Sequence, residues 1–379
     1  MKKKNLAIFT VARSDFGIMK NIIEKCEKDK RFNLFLIIGP AHNSKVFGHT
    51  RDEINLIKVK KKINFKFKYI KSTNEDIINY FSRSLNETKK FLKKAKIDAA
   101  LILGDRYEML AISFVCLNYN IPIMHFCGGN QTLGSLDDIY RYAISKMAKV
   151  HFLETNNHKT KLKAVGIKKN LNVVGNPALE NLDSKYFNKK ELIEKFKFSF
   201  NPQKKIIVAC FSPETTISKK NNLNNLNIML KFLSKVGENL VFTYPNADPG
   251  FNDYINLINR YLLNKKNADV TKNLGIINYF SLLKISSLLI GNSSSGIVES
   301  SSFKIPAINL GDRQKGRFAP KNVIHSNFSL NKINLAYKKA FSKKFISSIK
   351  KIRNPYYKSN TSIRSLNLIN KYLKSKNNL

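Results

Sequence analysis

The residues best suited to chemistry lie in one stretch, Leu288 to Arg317, LLIGNSSSGIVESSSFKIPAINLGDRQKGR. An apolar run, Leu288 to Ile290, reads as a buried strand. It ends in Gly291-Asn292-Ser293-Ser294-Ser295-Gly296, rich in hydroxyls and small residues. The pattern predicts a helix starting there and running through Ile297, Val298 and Glu299. The first N–H groups of a helix lack partners and its dipole is positive at that end, so a helix start attracts anions. A second strand, Pro306 to Leu310, then leads into Gly311-Asp312-Arg313-Gln314-Lys315-Gly316-Arg317. Guanidinium groups fork onto phosphate oxygens. Ser293, Ser294, Ser295, Arg313 and Arg317 together describe a diphosphate-binding site. The plainer alternative is a strand–helix joint with a serine N-cap and surface arginines.

The first half of the chain has candidate loops of its own. A strand at Ala99 to Leu103 ends in Gly104-Asp105-Arg106, whose charged pair projects from the strand's end or forms a simple salt bridge. Ile123 to His125 leads into Phe126-Cys127-Gly128-Gly129. Beyond it, Gly134-Ser135 precedes Asp137-Asp138 and a helix carrying Arg141 and Lys146. Either acid can serve as an acid/base group. Alternatively, Ser135 caps the helix and Asp138 completes a capping box. Arg13 opens the loop after the first strand and can clamp phosphate. His42 and His49 follow the second strand and are candidates for touching ligand.

These loops need strands to carry them. Apolar runs at Leu6–Thr10, Leu34–Ile38, Phe65–Tyr69, Ala99–Leu103, Ile123–His125, His151–Leu153 and Asn172–Val174 alternate with helical patterns at Phe16–Cys26, Glu75–Leu92, Met109–Leu117 and Asp137–Ala148. The second half repeats the alternation. Its strands are expected at Ile206–Ala209, Leu240–Tyr244, Leu288–Ile290 and Ala307–Leu310, its helices at Leu223–Val236, Tyr254–Leu263 and Ile276–Ile285. Such alternation is the signature of βαβ units and parallel sheets. The expected fold is α/β: two doubly wound Rossmann-like domains, with ligand in a cleft between the carboxyl edges of their sheets. The expected boundaries are 1–178 and 190–355, joined by Asn176-Pro177 and the polar tract Asp183–Lys190. The last segment shows helical periodicity at Ser362–Leu373.

The 379 residues carry 67 Lys and Arg against 26 Asp and Glu, a formal charge of +41. The lysines are dispersed among asparagines, and no segment interleaves arginine with aromatics as a nucleic-acid platform does. A nucleic-acid partner is therefore not expected, although the positive surface favours an anionic substrate. Cys26, Cys116, Cys127 and Cys210 form no CxxC pair, which argues against a zinc ribbon or redox motif. The short N-terminal apolar run reads as a strand rather than a signal peptide, and no run approaches a membrane span. Cytoplasmic location and no membrane partner are the expectations.

From about Leu6 to Arg317 the chain resembles the hydrolysing UDP-N-acetylglucosamine 2-epimerases of sialic-acid and legionaminic-acid synthesis. The resemblance rests on Arg13-Ser14-Asp15-Phe16-Gly17, His42 to Phe47-Gly48-His49-Thr50, Gly104-Asp105-Arg106-Tyr107-Glu108 and His125-x-x-Gly128-Gly129. It continues through Gly134-Ser135-x-Asp137-Asp138-x-x-Arg141-x-x-x-x-Lys146, Gly291-Asn292-Ser293-Ser294-x-Gly296-x-x-Glu299 and Gly311-x-Arg313-Gln314-x-x-Arg317. It implies a glycosyltransferase-B-like architecture, with segment 356–379 packing back on the first domain, and a nucleotide diphosphate sugar as substrate. It further implies loss of the C2 proton, expulsion of UDP through a glycal intermediate, addition of water and release of the free 2-epimer, of N-acetylmannosamine type. No metal or other cofactor is implied, and a homo-oligomer, dimer or tetramer, is expected. By motif, Arg13, Ser293, Ser294, Glu299 and Arg313 hold the nucleotide, Arg106 lies at the diphosphate or sugar, and Asp105, Asp137 and Asp138 are the acid/base candidates.

Three positions depart from the family pattern. Cys127 stands where a glutamate is expected, Ser212 where a histidine is expected, and Tyr142 where a histidine follows the arginine. Cys127 and Ser212 are thus candidate catalytic positions with altered chemistry, and Glu214 is a candidate replacement carboxylate. A thiol acts as a base only where its surroundings favour the thiolate. Two other readings remain open: a different nucleotide-sugar enzyme of this fold, such as a glycosyltransferase or an epimerase that keeps its nucleotide, and a nucleotide-sugar binder without catalysis.

Overall fold

The computed structural model describes residues 2–44, 49–68, 73–244, 251–262 and 265–375. Phe47 and Gly48 of the expected motif, Tyr69 and Leu263 lie outside them.

The chain divides into two compact units. The first comprises Met1–Asn130, Asp137–Asn181 and Tyr356–Leu379; the second comprises Gln131–Leu136 and Leu182–Pro355. The short segment Gln131–Leu136, in the middle of the first unit's sequence, therefore belongs to the second.

The first unit is built on seven parallel strands: β1 (Lys4–Thr10), β2 (Phe32–Ile38), β3 (Lys62–Asn64), β4 (Ala99–Leu103), β5 (Ile123–Phe126), β6 (Val150–Leu153) and β7 (Leu171–Val173). Their order is β3-β2-β1-β4-β5-β6-β7. The central strands are buried along both faces, which is why they read as continuous apolar runs. Helix Thr361–Ser375 sends Leu366, Ile369 and Leu373 into the same core as Phe16, Met19, Ile22 and Ile23 of helix Arg13–Lys28. Its start is tied down by Thr361, whose hydroxyl donates to the Val174 carbonyl at 2.7 Å.

The second unit has six parallel strands: β8 (Ile206–Cys210), β9 (Asn239–Thr243), β10 (Ala268–Thr271), β11 (Leu288–Gly291), β12 (Ala307–Leu310) and β13 (Val323–Ser326). Their order is β10-β9-β8-β11-β12-β13. The expected α/β class, two doubly wound parallel-sheet units, is the observed one.

Three local expectations are corrected. The third strand is Lys62–Asn64 rather than Phe65–Tyr69: Phe65 and Phe67 are apolar because they pack beside each other and Phe67 meets Tyr80 of helix Asn74–Lys94. The polar tract thought to be linker ends in a helix, Lys189–Phe196, closed by a reciprocal capping box between Asn188 and Glu191. The helix predicted after the serine cluster is one turn, Ser295–Val298, followed by a 3-10 turn at Ser300–Phe303.

Candidate active site

In each sheet the chain starts at the middle and winds outward in both directions, and the loops at the carboxyl ends of the strands beside that reversal are the ligand-binding loops of such folds. In the first unit these loops carry Arg13 after β1, His42 after β2, Asp105 and Arg106 after β4, and Cys127 after β5. The first-half candidates are thus brought to one edge, with differing environments.

Asp105 and Arg106 are not paired with each other. Asp105 meets Arg141 of helix Asp137–Met147 through Nη2, and Arg141 Nη1 reaches Asp138 at 3.1 Å. Arg141 is 1% exposed. Burial works against its charge, but the carboxylates of Asp105, Asp137 and Asp138 outweigh that and hold its pKa above the ordinary arginine value. Arg106 instead makes two bonds to Glu108, Nη2 to Oε1 at 2.8 Å and Nε to Oε2 at 3.2 Å. Glu108 is fully buried. Burial also opposes the charge of Arg106, and Glu108 and Asp15 hold its pKa well above the usual value.

Gly104 turns the chain at φ +75°. Its carbonyl, just before Asp105, lies 2.8 Å from His125 Nε2, while His125 Nδ1 lies 3.1 Å from the Ser145 hydroxyl. A carbonyl only accepts, so Nε2 carries the hydrogen and Nδ1 accepts from Ser145. Burial lowers the His125 pKa to about 3, so the ring is neutral.

His42 is fully buried beneath this edge. Its Nε2 lies 2.9 Å from Thr10 Oγ1, its ring meets Phe16 edge-on, and burial lowers its pKa to about 3. The expectation that it touches ligand meets a packed core histidine. His49 is half-buried beside Asp52, 2.9 Å away. Arg13 begins the first helix, half-buried, with its pKa lowered by burial against the opposing effect of Glu53. Asp15 accepts from the Val11 and Ala12 N–H groups at 2.8 and 2.9 Å, and burial raises its pKa to about 6 despite Arg106. Cys127 is buried with left-handed backbone, φ +62°. Asp137, half-buried, is the first residue of its helix.

In the second unit the reversal lies between β8 and β11. Ser212 follows β8, and Asn292 follows β11. Gly291, the last residue of β11, has φ +136°, and a Cβ there would meet the Cys210 carbonyl oxygen at 1.6 Å, so only glycine fits. Asn292 is fully buried. Its main-chain carbonyl accepts from Arg313 Nη1 at 3.2 Å and Gln314 Nε2 at 2.9 Å, drawing the arginine loop to the serine loop. Asn292 and Gln314 lie within the sequence motifs, but nothing in those motifs signals this supporting role.

Ser293, Ser294 and Glu299 are half-buried. The Ser295 hydroxyl is engaged with Tyr279 OH at 2.5 Å, which makes it part of the support. A one-turn helix also contributes little macrodipole, so the serine cluster's capacity for anions rests on its hydroxyls, its N–H groups and the nearby Arg313. Arg313 and Arg317 are half-buried on the loop after β12.

Glu214 anchors this loop: Oε1 accepts from Asp312 N at 3.0 Å. Burial raises its pKa. On the same side, Leu133 N donates to the Lys315 carbonyl at 3.0 Å and Leu136 N to Thr215 Oγ1 at 2.9 Å. Segment Gln131–Leu136 is thereby laced to both the arginine loop and the loop after β8.

Among the described residues, no cluster of three or more His, Cys, Asp or Glu could hold a metal ion, and no helix is long and apolar enough to cross a membrane.

Comparison with known proteins agrees with this fold. The chain is 36% identical to the GDP/UDP-N,N'-diacetylbacillosamine 2-epimerase (hydrolyzing) of Campylobacter jejuni, covering 91% of this chain and 89% of that protein. It is 31% identical to polysialic acid biosynthesis protein P7 of Escherichia coli, covering 99% of this chain and 95% of that protein. The crystal structure of UDP-GlcNAc 2-epimerase from Neisseria meningitidis bound to UDP-GlcNAc has the same fold. It superposes with a TM-score of 0.81 at 16% identity, covering 97% of this chain and 100% of that one. Residues 24–370, which take in the loops with Asp105, Ser293 and Arg313, match the family described as UDP-N-acetylglucosamine 2-epimerase, and the chain belongs to that family.

Proposed function

We propose that the protein is a hydrolysing 2-epimerase acting on a UDP- or GDP-linked N-acetylated amino sugar, with diacetamido sugars of the bacillosamine type as the preferred class. The observation that carries the reading is the buried Arg141 held between Asp105 and Asp138 at the carboxyl edge of the first sheet. It presents carboxylates in a fixed frame around one guanidinium, as proton transfer at carbon requires. The Campylobacter jejuni relative supports the choice of sugar.

The chemistry runs in two steps. A carboxylate among Asp105, Asp137 and Asp138 takes the C2 proton. The C2–H electron pair becomes the C1=C2 double bond, and the C1–O bond to the diphosphate breaks with its pair leaving on the diphosphate. Water then bonds through oxygen to C1 of the glycal and gives up one proton to a carboxylate, while the C1=C2 electron pair takes a proton at C2 on the opposite face. Ser293, Ser294, Arg313 and Arg317 hold the diphosphate, Glu299 holds a ribose hydroxyl, and Arg13 and Arg106 add positive charge. Cys127 and Ser212 take the places of a family glutamate and histidine. A serine hydroxyl brings no positive charge to the leaving group, so that task falls to the arginines.

The test is incubation with UDP- and GDP-linked N-acetylglucosamine and diacetamido-bacillosamine in deuterated water. Free nucleotide diphosphate and a released sugar bearing deuterium at C2 are expected. Binding without release or C2 exchange across the panel overturns the reading, and transfer of sugar to an acceptor replaces it with a glycosyltransferase.

A further inference from the structure

The first unit contains a buried carboxylate that none of the assigned roles uses. Glu154, just beyond β6, is 1% exposed. A carboxylate so deep is costly unless its oxygens are satisfied. Oε1 accepts from Asn176 Nδ2 at 2.5 Å, and Oε2 accepts from Asn130 Nδ2. His158 Nδ1 stands 3.7 Å from Oε2. Asn176 also donates its main-chain N–H to the Tyr356 carbonyl at 2.8 Å, and the Tyr356 ring packs 5.8 Å from that of His158.

Asn130 and Tyr356 are the first-unit residues at two points where the chain passes to or from the second unit, and Asn176 lies shortly before a third at Asn181. Residues at or near three of the four passages are thus tied, directly or through a neighbour, to one carboxylate. A second observation gives this a chemical consequence. The Asn130 carbonyl accepts from Arg141 Nη1 at 3.2 Å, and Arg141 Nη2 holds Asp105. A continuous path of hydrogen bonds runs Glu154–Asn130–Arg141–Asp105.

We propose that Glu154 is a positioning residue for the acid/base cluster: it fixes Asn130, whose carbonyl sets the Arg141 guanidinium against Asp105. The inference rests on the proposed 2-epimerase function. A carboxylate is required because two amide NH₂ groups point at it, and an amide in its place turns one donor toward another.

Glu154→Gln keeps the shape and removes one acceptor. The expected result is a kcat lower by about 10²-fold, the scale of a displaced catalytic group, with KM for the nucleotide sugar within about twofold because the serine and arginine loops belong to the second unit. A double-mutant cycle with Arg141→Lys is expected to be less than additive, as for groups acting through one another. Asn130→Ala, which cuts the same path while keeping the carbonyl, is the second variant and is expected to share the kcat loss. Folded variants with wild-type kcat, or fully additive losses, overturn the proposal. The crystal structure of Glu154→Gln decides the geometry independently of turnover. Arg141 displaced from Asp105 supports the inference; an intact Asp105–Arg141 pair overturns it. Wild-type protein inactive on every nucleotide sugar defeats the epimerase reading instead, and the crystal structure then still judges this one.

Discussion

The side chain of Asn292 and the main chain of Ser212 bind each other in both directions. Asn292 Oδ1 accepts from Ser212 N–H at 2.8 Å, and Asn292 Nδ2 donates to the Ser212 carbonyl at 2.7 Å. One carboxamide thus acts as a short stretch of strand, extending the β8–β11 pairing past the ends of both strands. The same residue's carbonyl receives Arg313 and Gln314. Three loops of the proposed nucleotide site therefore meet at Asn292.

Asn292→Ala leaves a buried N–H and a buried carbonyl unpaired, each costing about 1–3 kcal/mol. The expected loss is about 2–6 kcal/mol in urea denaturation, with UDP affinity lowered at least tenfold by calorimetric titration. Unchanged affinity in a folded variant argues that the three loops are positioned by other contacts.

Arg141→Lys keeps a positive charge but cannot fork between Asp105, Asp138 and the Asn130 carbonyl. The expected kcat is lower by about 10²-fold with KM little changed, since a misplaced catalytic group costs on that order. Arg141→Met removes the charge from beside two carboxylates and is expected to cost about 3 kcal/mol or more of stability. A Lys variant with full activity removes Arg141 from the mechanism.

A Cβ on Gly134 would lie 2.6 Å from the Asp312 carbonyl and 2.7 Å from Arg313 Cα. Both neighbours are backbone, so one of the two segments has to move. Gly134→Ala is expected to raise KM for the nucleotide sugar several-fold through Arg313, while the first unit's resistance to hydrogen exchange stays as in the parent protein. An unaltered KM would show that the arginine loop tolerates the shift.

Stability should fall with acid from about pH 6.5, the ordinary histidine pKa. Burial holds His42 and His125 at about 3 and His151 at about 4, so all three take up a proton on unfolding. Groups with depressed folded pKa values contribute stability above their unfolded pKa and lose it as pH falls, by about 1.4 kcal/mol per pH unit each. Asp15 has the opposite sign: its folded pKa, about 6, is raised, so its contribution is present at low pH and is lost as pH rises through 6. Among these four groups, three protons against one leave a net acid destabilisation between about pH 4 and 6. His42→Gln is expected to reduce the slope by about one proton in denaturation at stepped pH, and an unchanged slope contradicts the burial argument.

Cys127 holds a left-handed backbone, at φ +62°, that glycine adopts without strain. Cys127→Gly gains about 1–2 kcal/mol of relieved strain and loses part of it to the freer unfolded chain, so stability is expected to change by less than about 1 kcal/mol. If the thiol takes part in proton transfer, kcat falls at least tenfold at constant stability. Full activity of the glycine variant would make Cys127 a structural replacement for the family glutamate.

The parallel sheets were legible because central strands buried on both faces must be apolar throughout, and Ala99–Leu103 or Ile206–Cys210 can hardly be read otherwise. Strands β10 and β13, Ala268–Thr271 and Val323–Ser326, escaped notice: they are edge strands, short and partly exposed, with polar residues in half their positions. The chemistry of single loops was legible too, since Asp105, Arg313 and the serines are polar groups at strand ends. Their partners were not. Asp105 and Arg141 are 36 residues apart, and only the neighbouring of β4 and β5 and the path of the next helix bring them together. The role of Asn292 was not legible because nothing in Gly-Asn-Ser shows that its amide faces another strand's loop. The one-turn helix at Ser295 was overestimated because Ile297, Val298 and Glu299 fit a helical period that the following serines do not sustain. Ser300 instead donates its hydroxyl back to the Gly296 carbonyl at 2.7 Å.

Helix Thr361–Ser375 has a consequence for synthesis. The core it completes is begun by helix Arg13–Lys28, and the whole of Leu182–Pro355 is translated between them. At the ribosome, the second unit's main segment emerges before the first unit can bury Ile22 and Ile23 beneath Leu366 and Ile369. The earlier-made unit is thus the later to finish, and through that interval its apolar flank stands open to chaperones or to a neighbouring nascent chain.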